Sequence, residues 1–67
     1  MSAKIPNPKN IEEMDVVGDV FAMRFPFNSK LVELYIESDG MYHFKAKFDR
    51  DYLGDLIDVC VDAQDHA

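Results

Sequence analysis

Leu31-Val32-Glu33-Leu34-Tyr35-Ile36-Glu37-Ser38-Asp39-Gly40-Met41-Tyr42-His43-Phe44-Lys45-Ala46-Lys47-Phe48 is two alternating runs joined at Asp-Gly. Period-two alternation rich in aromatic and β-branched residues specifies strands. In the first run Val32, Leu34 and Ile36 share one face, and Leu31, Glu33, Tyr35 and Glu37 the other. In the second, Tyr42, Phe44, Ala46 and Phe48 oppose Met41, His43, Lys45 and Lys47. Residues paired across a hairpin must face the same side, so even inward positions on both strands require an odd loop. The expectation is a three-residue loop, Ser38-Asp39-Gly40, with Gly40 left-handed. It pairs Ile36 with Tyr42 and Leu34 with Phe44, and outside them Glu33 with Lys45 and Tyr35 with His43.

Upstream, Val17, Phe21, Met23, Phe25 and Phe27 alternate within a single expected strand, Val16 to Phe27. Gly18 beside Asp19 suits a bulge or a late start, and Pro26 the strand's end. Asn28-Ser29 supplies an even loop that pairs Phe27 with Lys30 and Phe25 with Val32. By parity Phe21, Phe25, Phe27, Phe44 and Phe48 belong to the core. Residues 1–13, with Pro6 and Pro8, form an N-terminal arm. Within it Asn7-Pro8, or Asn10 with Glu13, caps one helical turn reaching Met14.

Downstream, Leu53, Leu56, Ile57 and Cys60 make a 3.6-period apolar stripe. Asp51, Asp55, Asp58, Asp62 and Asp65 recur at steps of four, three, four and three. On a helix they fall within about 80° of one another, opposite the stripe. The expected fold is therefore α+β, a three-stranded antiparallel β-meander with one C-terminal α-helix packed on its aromatic face. Residues 14–67 make the single domain.

Sixty-seven residues allow one small core, and an apolar fraction of 48% is that of a globular chain. The lone Cys60 forms no internal disulfide and no zinc site by itself, which fits a reducing compartment; on the stripe it reads as a buried, inert thiol. The opening residues lack the apolar core of a leader, and no apolar run reaches membrane-spanning length, so a cytoplasmic location is expected. Asp49, Asp51 and Gly54 match the first, third and sixth places of a calcium loop, but Leu53 and Cys60 stand where oxygen ligands are required. His43 and His66 have no catalytic or zinc-binding neighbours at a telling spacing. Neither an enzyme nor a cofactor or metal site is expected.

The net charge is −6, of which −5 lies in residues 51–67, where there is no base at all. That balance excludes direct contact with nucleic acid or an anionic membrane and suits a protein partner with a basic surface. Four successive like-charge neighbours cost a helix on the order of 1–2 kcal/mol, and a plain solvated face mixes signs instead. Asp62 and Asp65 also lie near the negative end of the helix dipole. The carboxylate spacing, roughly 5 Å, approaches the phosphate spacing of a DNA strand. These features imply a small non-catalytic binding protein, in sharper form an inhibitor or DNA mimic that occupies a basic nucleic-acid-binding surface through Asp51, Asp55, Asp58, Asp62 and Asp65. Small acidic proteins of that kind are typical of phages and mobile elements. The alternative is a dimeric accessory or regulatory subunit associating through the open sheet face, Leu31, Glu33, Tyr35, His43 and Lys45.

Overall fold

The structure, a computed structural model, describes residues 7–66. Its elements are β1 (Val16–Val17), β2 (Phe21–Arg24), β3 (Leu31–Ser38), β4 (Met41–Asp49) and α1 (Leu53–Asp65). The strands form one antiparallel sheet in the order β1-β2-β3-β4. The α+β class with a C-terminal helix is as expected, but there are four strands where three were expected. The run from Val16 to Phe27 folds back on itself. Val16 pairs with Met23 and Val17 with Ala22, and the Gly18 N–H donates to the Phe21 carbonyl at 2.7 Å across Asp19-Val20. A Cβ on Gly18 would stand 3.2 Å from that same oxygen, tighter than ordinary packing. Partners here have opposite parity, so Val17 joins the face of Ala22, which no single-strand alternation conveys.

The β3–β4 hairpin also departs from expectation. Ser38 pairs with Met41, leaving a two-residue turn, Asp39-Gly40, with φ values of 54° and 80°. Two successive positive φ values give the twist that suits a right-handed hairpin, and Asp and Gly tolerate them best. The Glu37 carboxylate accepts the Gly40 N–H at 2.8 Å and steadies the turn. Beyond it Glu37 faces Tyr42, Ile36 faces His43 and Tyr35 faces Phe44, but Leu34 faces Ala46. Lys45 is the extra residue of a β-bulge. One added residue moves every later side chain to the opposite face. Tyr42 and Phe44 therefore share a face with Tyr35, while Ala46 and Phe48 share one with Leu34 and Val32. The pairs Ile36–Tyr42, Leu34–Phe44, Glu33–Lys45 and Tyr35–His43 do not occur.

Between β2 and β3 the register, Phe21 with Ile36 through Arg24 with Glu33, is the one expected from pairing Phe25 with Val32. The strand nevertheless ends at Arg24. Pro26 to Ser29 forms a turn, with the Ser29 N–H on the Pro26 carbonyl at 3.2 Å and Asn28 at a φ of 57°. Phe27, assigned to the core by parity, is 94% exposed at this turn, and Phe21 is exposed as well.

Met14, Ala22, Tyr35 and Tyr42 form the buried cluster, with Phe44 packed against it and its ring 5.8 Å from that of Tyr35, edge to face. All lie on the sheet face that the alternation leaves open. The chain's own N-terminal segment covers it. Lys9 exchanges two backbone hydrogen bonds of 2.9 Å with Tyr42 at the β4 edge. A 3-10 turn, Ile11–Glu13, follows, with the Glu13 carboxylate accepting the Asn10 N–H at 2.9 Å. Met14 then enters the core, and the Asp15 N–H reaches the Met23 carbonyl at 3.0 Å on β2, where the β1 pairing begins. The segment is a strap laid from one side of the sheet to the other.

The helix lies toward the other face. The Asp49 side chain accepts the Asp51 N–H at 2.9 Å, capping a 3-10 turn over Arg50–Tyr52 that leads into α1. The Arg50 N–H donates to the Lys30 carbonyl at 2.7 Å, and its guanidinium stacks 4.9 Å from the centre of the Phe25 ring. After this anchored start, no residue of α1 is buried. The expected close packing on an aromatic face is absent because the bulge has turned Tyr42 and Phe44 to the strap side. The Cα radius of gyration, 13.1 Å, exceeds the roughly 11 Å of a compact chain of this length. Among the described residues no helix is long and apolar enough to cross a membrane.

Candidate functional site

Two surfaces of α1 stand out, on opposite sides of the helix. The first is acidic. Asp51 lies on the 3-10 turn and Asp55, Asp58, Asp62 and Asp65 on α1, all exposed. The ion pairs among the described residues lie elsewhere, Lys9–Glu13 at 3.9 Å and Arg24–Glu33 at 2.9 Å. Among the described residues no lysine or arginine pairs with these aspartates, and the row runs about 22 Å from Asp51 to Asp65, at about 2 Å per residue over the 3-10 turn and about 1.5 Å per residue along the helix. Among the described residues no three His, Cys, Asp or Glu side chains converge as a metal site would require.

The five residues of the alternative sheet interface do not make one surface. Tyr35 is only 1% exposed beneath the strap. Its hydroxyl donates to the Glu33 carboxylate at 2.9 Å, and Arg24 donates to the same oxygen at 2.9 Å. Burial, and then the bond to Glu33, pushes the Tyr35 phenol up to about 12, and the carboxylate raises Arg24 in turn. His43 pairs with Ile36 on the opposite face, its Nε2 3.4 Å from the Ser38 carbonyl oxygen. Lys45 is the exposed bulge residue and Leu31 stands near the far end of the sheet. The bulge separates what a continuous alternation placed together.

The second surface is one that the sequence reading assigned to the core. Between α1 and β2 runs an apolar groove of about 380 Å³, lined by Met23 and by Leu53, Leu56, Ile57, Cys60 and Val61, with Gln64 at its end. Cys60 is exposed there, not buried. Ile57 is 61% and Val61 49% exposed. The amphipathic pattern located the stripe, but no pattern in one chain says how closely a helix settles on its sheet. The 3-10 turn and the Arg50 anchor, which set that distance, carry no such periodicity.

The chain matches no family model, no curated protein and no solved structure. Fold and surfaces define it as a small α+β domain that presents an amphipathic helix, acidic outward and apolar toward an open groove.

Proposed function

We propose that this chain is a non-catalytic protein-binding protein of the cytoplasm, an inhibitor that occupies a basic nucleic-acid-binding surface of its target through Asp51, Asp55, Asp58, Asp62 and Asp65. The observation that carries this reading is the acidic row itself: every aspartate in it is exposed, and residues 51–67 contain five acids and no lysine or arginine. Carboxylates roughly 5 Å apart along a helix imitate a run of backbone phosphates, and a cationic groove built for DNA accepts either. Such a contact associates fast and weakens steeply with salt.

The test is a pull-down from native lysate at low and at high salt, with the wild-type chain and with Asp55, Asp58 and Asp62 changed together to Asn. The expected result is a partner retained at low salt, lost at high salt, lost by the triple variant and displaced by added DNA. Salt-insensitive retention by the triple variant overturns the reading. An accessory role through self-association is the second reading. The exposed apolar stripe of α1 favours it, on the opposite side of the domain from the sheet face first considered.

A further inference from the structure

The groove between α1 and β2 is a second interaction surface, independent of the aspartate row, and we propose that it is covered by a second copy of this chain. The two helices pack antiparallel about a two-fold axis, each stripe entering the other's groove.

Exposed apolar surface is the first argument. Ile57 at 61% and Val61 at 49% stand open along the groove, where a helix stripe packed on its own sheet would be covered. Val16 and Phe21, about half exposed on the Met23 side of the sheet, extend the groove wall beyond Ile57 and Val61.

Shape and charge then select the occupant. What fills the groove must be an apolar ridge about one short helix long, and α1 is such a ridge. The same residues serve as wall and as ridge, which is the condition for a self-complementary two-fold contact. The lining holds no carboxylate, lysine or arginine, so two copies meet without juxtaposed like charges, while the aspartates that oppose self-association point outward. A basic partner finds no counter-charge in this groove. Edge-to-edge dimerisation is blocked instead. Lys9 already pairs at Tyr42 on the β4 edge, the rest of that edge carries the Lys45 bulge and exposed Lys47, and β1 is two residues long. A 13-residue helix with no buried side chain is also marginal by itself, and a second copy supplies the packing it lacks.

Cys60 gives the arrangement a coordinate. It lies on the stripe one residue from the midpoint of Leu53–Asp65, so antiparallel packing brings it beside its own counterpart. As the only cysteine it is a clean cross-linking probe.

The experiment is sedimentation equilibrium of the full chain, wild type and Ile57→Glu, with a short bis-maleimide as cross-linker. The wild type is expected at twice 7.7 kDa, with added salt tightening the dimer by screening its outward acidic faces. Ile57→Glu is expected at the monomer mass with a weakened helical far-ultraviolet circular dichroism signal, while the near-ultraviolet signal of the buried Tyr35 and Tyr42 shows the sheet still folded. The bis-maleimide should convert the wild type to a covalent dimer through Cys60 and leave the variant monomeric. A wild type that stays monomeric at NMR concentrations overturns the proposal, as does a dimer that loosens with salt or that bis-maleimide fails to link. The wild-type cross-link holds whether or not the variant folds. Its failure leaves the salt-sensitive binding by the aspartates untouched, since that is read on the other side of the helix.

Discussion

Gly40 and Tyr35 show how much rests on single residues. At a φ of 80° Gly40 occupies the left-handed region, where a β-branched side chain is strained although nothing stands within 4 Å of a built Cβ. Gly40→Val is therefore expected to cost roughly 1–2 kcal/mol, read by urea titration, through backbone conformation and not through contact. Tyr35 acts through protonation. Its phenol is raised to about 12 from an ordinary value of 10.0, so near pH 10 the unfolded chain releases its proton before the folded one does. The stabilisation is complete below pH 10 and is lost as pH rises through about 12. In Tyr35→Phe that alkaline loss should be smaller, with ultraviolet absorbance of tyrosinate separating it from the other tyrosines.

At the scale of elements, α1, β3, β4 and the β2–β3 register were legible because each is written as a sustained period. The bulge at Lys45 was not, since the run from Met41 to Phe48 alternates without a break and one unpaired residue leaves no mark on it. That residue reverses the face of Tyr42 and Phe44. Asp-Gly has the composition of a two-residue turn, but parity favoured the three-residue loop because the bulge was hidden, and that expectation fails. β1 escaped for a similar reason, as Val16-Val17 continues the alternation of the strand it pairs with. The acidic row on α1 was readable from spacing alone, and its exposure yields a prediction. Like charges without partners repel, so Asp58→Asn or Asp62→Lys is expected to leave the fold intact and to raise the melting temperature at low salt, an effect that fades as salt is added. Loss of stability in either variant would mean that the carboxylate has a hydrogen-bonding role in the folded chain.

For the molecule as a whole, the strap decides where stability resides. A 67-residue chain has a margin of about 5 kcal/mol, and its buried cluster is small. Met14 comes from a segment that reads as the edge of an arm, yet it is 9% exposed among Ala22, Tyr35 and Tyr42. Phe27 reads as core by alternation, yet it is 94% exposed. The two substitutions to alanine should therefore invert the ranking that alternation implies. Met14→Ala removes buried methylenes and leaves a cavity beside Tyr35, at an expected cost of about 2–4 kcal/mol, most of the margin. Phe27→Ala should change stability by less than about 0.5 kcal/mol. Both are measured by thermal and urea unfolding at one fixed protein concentration, because a dimer's apparent stability rises with concentration. A chain that tolerates Met14→Ala and collapses on Phe27→Ala would place the core on the helix side of the sheet, and the strap would then be an ornament of the fold instead of its lid.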